Sequence, residues 1–184
     1  MAVLFQTLFT SGDTAPTVFS DIVNRTFTNG NLVKNNFNLV NVSPVDISGM
    51  TQFRVTVENS TDVSSTIDAM WLGQLSGTTL YQFTSTPTQV LFGGTGAITM
   101  TTSGQSYVSD ILTYTPSGTG FLGIAFHVNN NCNALRYSDS LGTGWAMYQK
   151  TGATDAALGT TGKSGYSANG TQRNSLITKV EAAA

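Results

Sequence analysis

Apolar and polar residues alternate at period two along much of the chain, the pattern of strands that bury one face. Phe53, Val55 and Val57 alternate with Arg54, Thr56 and Glu58. Leu122, Ile124, Phe126 and Val128 form the cleanest stripe, and place His127 on the opposite face of the same strand. Val108, Asp110, Leu112 and Tyr114 share a second alternation, with Ser109, Ile111 and Thr113 facing the other way. Further strands are expected at Phe37 to Val42, Ile67 to Leu72, Leu80 to Phe83, Gln89 to Phe92, Ala97 to Thr101, Trp145 to Gln149 and Leu176 to Val180.

Turn residues punctuate these runs: Asn59-Ser60, Gly93-Gly94, Ser103-Gly104, the Gly-rich stretch from Ser117 to Gly120, and Asn129 to Asn131. Such residues tolerate positive φ or bond their own backbone, and so end strands. No capped helical stripe of useful length occurs; Asp21 to Arg25 is read as a single helical turn. Thr151 to Arg173, rich in Gly, Thr, Ala and Ser, reads as a long surface loop. Residues 1–35 are less regular, and read equally as an N-terminal docking arm or as an edge strand with its loop. Many short strands with regular turns predict an all-β fold, an antiparallel two-sheet β-sandwich of jelly-roll-like kind, as a single domain over residues 1–184.

Composition sharpens that picture. Hydrophobic residues make up 40% of the 184 positions, aromatics 10% and charged residues only 10%, against about 25% charged in an average domain. The polarity comes from short uncharged side chains, and the aromatic content argues for an ordered chain. A net charge of −2 without a basic cluster gives nucleic acid no electrostatic footing. Apolar runs fall short of the ~20 residues of a membrane helix. The opening Met1 to Phe9 lacks the basic start of a secretory signal. Cys132 is the one cysteine, which excludes an intrachain disulfide and multi-cysteine zinc sites. Sequons at Asn24, Asn41, Asn59 and Asn169 carry little weight in so Asn- and Thr-rich a chain.

No catalytic arrangement stands out. His127 is the only histidine and reads as a surface residue, because no nucleophile elbow or partner acid is flagged near it. On that reading His127→Ala costs within about 0.5 kcal/mol, whereas Phe126→Ala in the core costs about 3 to 5 kcal/mol. Glu58 and Glu181, the two glutamates, lie on polar strand faces. Asp110 is expected to point inward and to bond turn amides rather than to act as an acid. Asp139 and Asp155 sit in loops without calcium-loop spacing, so no metal and no cofactor is expected. The aromatics Trp71, Tyr81, Tyr137, Trp145 and Tyr148 remain: exposed on one face, Trp71, Tyr81, Trp145 and Tyr148 would stack on sugar rings. The competing reading makes Trp71 and Trp145 core residues.

From Phe53 onward the order of short motifs is familiar. Trp71-Leu72-Gly73 is followed by Pro87-Thr88-Gln89-Val90-Leu91-Phe92-Gly93-Gly94, then Tyr107-Val108-Ser109-Asp110 and Leu122-Gly123-Ile124-Ala125-Phe126. The run from Tyr148 to Ala157 and the closing Ile177-Thr178-Lys179-Val180-Glu181 complete the series. This order resembles small β-sandwich proteins encoded by tailed bacteriophages and prophages. It is also similar to the non-catalytic sandwich that accompanies some SGNH-type acyl hydrolases. The resemblance implies a non-enzymatic structural protein of a virion: a capsid decoration protein, head fibre or tail accessory protein. Its first segment would attach it to other virion proteins. It would be made in the host cytoplasm without a signal peptide, contact neither membrane nor nucleic acid, and self-associate as a homo-oligomer. The alternative is a carbohydrate-binding module for host surface glycans.

Overall fold

The computed structural model describes residues 17–25, 27, 29–32, 37–59, 65–75, 81–102, 104–129, 135–138, 141, 143–152, 159, 161, 163–171 and 174–184. None of them is helical. The strands are β1 (Ser20–Asn24), β2 (Asn29–Leu32), β3 (Phe37–Asp46), β4 (Gln52–Glu58), β5 (Ser65–Leu75), β6 (Thr88–Gln89), β7 (Ile98–Met100) and β8 (Ser106–Val108). They continue with β9 (Leu112–Thr113), β10 (Phe121–Val128), β11 (Leu135–Ser138), β12 (Ala146–Thr151), β13 (Ser167–Thr171), β14 (Asn174–Ser175) and β15 (Ile177–Ala183).

Two antiparallel sheets pack face to face. One runs β1-β15-β4-β8 with β9 also on β4, and the other runs β13-β12-β3-β10-β5-β6 with β7 also on β5. Eight framework positions in chain order are β1, β3, β4, β5, β6/β7, β8/β9, β10 and β15. Their sheet orders are then first-eighth-third-sixth and second-seventh-fourth-fifth. Every connection but that from the fourth to the fifth crosses between sheets, which is the winding of a jelly roll. Between β10 and β15 the chain makes an excursion. It adds β12 and β13 to the second sheet beyond β3, and pairs β11 and β14 with β2 in a small third sheet.

The inter-sheet core follows the predicted stripes. Phe53, Val55 and Val57 of β4 and Val180 of β15 face Leu122, Ile124, Phe126 and Val128 of β10, with Ile67, Met70 and Leu72 from β5. The outer face of the second sheet is covered as well. Val40, Val42, Ala69, Leu75, Phe83, Ala125 and Ala146 form a second buried cluster there, ringed by Trp71, Tyr81, Phe121, Tyr148 and Tyr166. Gly123 lets Leu75 lie flat on this face: a Cβ at Gly123 would stand 2.4 Å from Leu75 Cγ.

Several local expectations are corrected. Asp21 to Arg25 is no helical turn; Asp21 to Asn24 belong to the edge strand β1, antiparallel to β15, because Val23 has a core position to fill opposite Val180. The stretch from Thr151 to Arg173 is not one loop, since it contains β13, whose small residues conceal a strand that needs only β12 beside it. Residues 20–24 of the opening segment form a strand at the edge of the first sheet, residues 29–32 a strand of the small third sheet, and residues 1–16 lie outside the described residues. The alternation across Val108 to Tyr114 slips by one. Ser109 is buried while Val108 and Ile111 are more than half exposed, and Leu112 and Tyr114 are buried again. The cause is Asp110, whose N–H donates to Leu91 O at 2.8 Å and draws the chain away from β4. Cys132, Asp139, Asp155 and Leu80 lie outside the described residues.

Candidate functional site

Antiparallel register assembles one face from distant parts of the chain. On the outer side of the second sheet, Gln89, Trp71, Ala125, Val40, Tyr148 and Ala168 form one row across six strands. At ~4.8 Å per strand, Trp71 and Tyr148 are about 14 Å apart, separated by small side chains. Tyr81, in the turn after β5, fills part of this gap. Its ring lies 5.2 Å from that of Tyr148 and 5.4 Å from that of Tyr166, the latter pair stacked at 24°. All four of these aromatics are partly exposed. Tyr81, Tyr148 and Tyr166 are therefore in contact with one another, and Trp71 stands apart on the same face.

Trp145 is not part of this group. It is buried in the inter-sheet core with Arg25 Cζ 4.8 Å from its ring centroid, so its core reading holds. Tyr137 sits on β11, in the third sheet. Among the described residues, the indole N–H of Trp71 and the hydroxyl of Tyr166 are buried without a hydrogen-bond partner. Burial pushes the Tyr166 phenol up to about 12.

A strap of chain lies over this face. Gly159 packs against the six-membered ring of Trp71, where a Cβ would stand 3.0 Å from the indole carbons. Lys163 is 3% exposed, with Nζ 3.8 Å from the centroid of the Phe83 ring. Desolvation pushes its amine down to about 7. Lys163 and Tyr166 escaped the sequence reading because both stand inside a Gly- and Thr-rich stretch with no alternation around them.

The next row on the same face is Ala69, His127, Asn38 and Lys150. His127 does point away from the inter-sheet core, but it is only 3% exposed, which corrects its reading as a surface residue. The reason is the covered outer face. Its Nδ1 lies 2.9 Å from Asp68 Oδ2, and Asn129 Nδ2 donates to the other carboxylate oxygen at 3.2 Å. Asp68 reaches the histidine because it is the extra residue of a β-bulge: Ala69 pairs with His127 and Ile67 with Val128, leaving Asp68 between them. Asn38 Nδ2 donates to Gly152 O at 3.3 Å just after β12, and Lys150 Nζ donates to Ser164 O at 2.9 Å, holding the strap there.

Asp110 is exposed rather than inward, a correction that leaves its chemistry as expected. Its carboxylate accepts from Gly93 N at 3.1 Å and Gly94 N at 2.7 Å, two amides of a turn that both glycines enter with positive φ. Glu58 is half-buried, and Glu181 is paired with Arg54 and Lys179 on the outer face of the first sheet. Of the sequon asparagines, Asn41 and Asn59 are buried, and Asn59 Nδ2 serves the carbonyls of Met100 and Thr102. Neither is open to a modifying enzyme. Among the described residues no group of three or more His, Cys, Asp or Glu side chains is placed to hold a metal ion. No protein-family model and no curated protein matches this chain.

Proposed function

We propose that this chain is a non-enzymatic structural protein of a tailed-phage virion, a jelly-roll module held among other capsid or tail proteins by its opening segment. The observation that carries the reading is the jelly-roll winding, an architecture shared by capsid and lectin domains. A fold does not by itself dictate a function, so the local features count too. Among the described residues, both edges of the first sheet, β1 and β8/β9, are without a further strand, and the β8/β9 edge carries Val108 and Ile111, 53% and 55% exposed. Self-association through that edge belongs to the same reading.

Removal of residues 1–16 tests the attachment. It spares β1, whose Val23 is a core residue, where a longer deletion would damage the fold. The shortened protein is expected to fold with an unchanged melting temperature and to be missing from purified particles. Normal incorporation would reject attachment through this segment.

A second reading, a module that binds host glycans, is favoured by the gathering of Trp71, Tyr81, Tyr148 and Tyr166 on one face. Aromatic rings offer the flat apolar surface on which sugar rings stack. A glycan array probed with the wild type and with Tyr148→Ala tests it. Binding by the first and loss in the second supports the reading, and an array blank for both rejects it.

A further inference from the structure

A cation stands beside the tyrosine cluster. Ala146, Tyr148 and Lys150 alternate along β12 opposite Val42, Val40 and Asn38. Lys150 therefore shares the outer face with Tyr148, about 7 Å farther along the strand. The ladder to β13 pairs Tyr148 with Ala168 and Gln149 with Ser167, and its continuation brings Lys150 beside Tyr166. Lys150 Nζ donates to Ser164 O at 2.9 Å, which fixes where the charge sits. An ammonium has three N–H donors, and among the described residues no carboxylate takes either of the others. Asp68, the described acid of this face, is on the third strand over, about 14 Å away at the backbone. Its carboxylate is bonded to His127 and Asn129.

Gly165 leaves the ammonium uncovered. Its φ of 74° lies in the left-handed region that favours glycine. A Cβ there would stand 3.5 Å from Nζ and 3.6 Å from Cε of Lys150, so a side chain at 165 would crowd the charge. Ser164 and Gly165 are both exposed. Rings and charge thus lie side by side. Tyr81, Tyr148 and Tyr166 are partly exposed and offer apolar surface to the C–H side of a sugar. Lys150 offers donors to an anionic substituent on the same sugar. We propose that this face takes an acidic saccharide, whose ring stacks on the tyrosines while its carboxylate or phosphate meets Lys150. The proposal rests on the glycan-binding reading and names the ligand class for it.

Calorimetric titration of the full chain at low salt tests it with two pairs of probes. One pair is a tetramer of galacturonic acid and its methyl ester, which keeps the rings and loses the charge. The other is galactose 6-phosphate and galactose. The charged member is expected to bind about fivefold more tightly than its neutral counterpart, the scale of one exposed ion pair. That gap should narrow as salt is added. A gap in the first pair alone assigns the site to carboxylates, in the second alone to phosphates, and in both to either. Lys150→Gln should bind charged and neutral members alike, and Lys150→Arg should keep the preference. Equal affinity within both pairs overturns the proposal and leaves the glycan reading standing. Binding of none of the four overturns both. A preference that survives in Lys150→Gln also overturns the proposal. Should that variant fail to fold, the wild-type comparison of charged with neutral probes still decides.

Discussion

At the scale of single residues, burial on the far side of a sheet changes what a side chain is worth. His127→Ala would strip the carboxylate of Asp68 of one partner and leave a hole beneath the covered face. Its cost is expected at about 1 to 3 kcal/mol, well above that of a surface change and below the ~3 to 5 kcal/mol of Phe126→Ala. Urea melts of the two variants measure both. On the opposite sheet, Arg54 Nε and Nη2 clamp Glu181 at 2.8 and 3.0 Å, and Lys179 bridges Glu181 to Asp21. The Arg54 bond is the largest influence on the Glu181 carboxyl and holds it below the usual carboxylate range. Its contribution is present above the unfolded value near ~4.3 and is lost as pH falls through the depressed folded value. Glu181→Gln should thus be less stable than wild type at pH 7, by up to about 1 kcal/mol for a pair at the surface. In urea melts that gap should shrink below pH ~4. Alternation revealed the facing of His127 and the polar face of Glu181. It could not reveal that Asp68 leaves its own alternation to meet the histidine, because a bulge has no signature in hydropathy.

At the scale of elements, the legible strands include those with a strong stripe on a long run, β4, β5, β10 and β15, and also β3, β7 and β12. β13 was hidden because Ser, Ala, Asn, Gly and Thr have no apolar face, and β1 because one core residue, Val23, defines it. The turn around Asp110 misled because its backbone bonds to the 91–94 turn, a partner remote in sequence. Of the four aromatics named as a candidate site, Tyr81 and Tyr148 are in ring contact, and Trp71 stands on the same face about 14 Å from Tyr148. Nothing in their spacing could place Trp145 in the core instead, since inward and outward faces look alike when both are covered. β10 is the clearest case, with every residue from Leu122 to Val128 buried. It predicts an outcome at Gly123, where even a methyl group collides with Leu75. Gly123→Ala is expected to cost about 1 to 3 kcal/mol, and Leu75→Ala in the same background should restore part of it. A double-mutant cycle of thermal melts checks the coupling.

At the scale of the whole molecule, the sandwich has a third, thinner layer: the aromatic cluster and strap on the back of the larger sheet. The smaller sheet has an ion network on its back instead. The two outer surfaces therefore differ in kind. The exposed apolar pair, Val108 and Ile111, stands at the rim between the sheets, where Thr88, Gln89, Leu91 and Ile111 line a groove of about 160 Å³. Under the proposed self-association, replacing both Val108 and Ile111 by Asp should shift the protein toward monomer in light scattering without lowering its melting temperature. An unchanged mass would remove this rim from the assembly.

The neighbours of β15 also set a timetable for synthesis. β1 and β4 emerge early from the ribosome, yet they flank β15 rather than each other. Both wait for Ile177 to Ala183 before the smaller sheet can close. At ~5 to 20 residues per second, those waits last roughly 6 to 30 s. During them the apolar side of β4 has no finished sheet around it. A nascent chain halted before Ile177 should therefore remain open to protease and bind holdase chaperones, and a chain in which β15 has emerged should not.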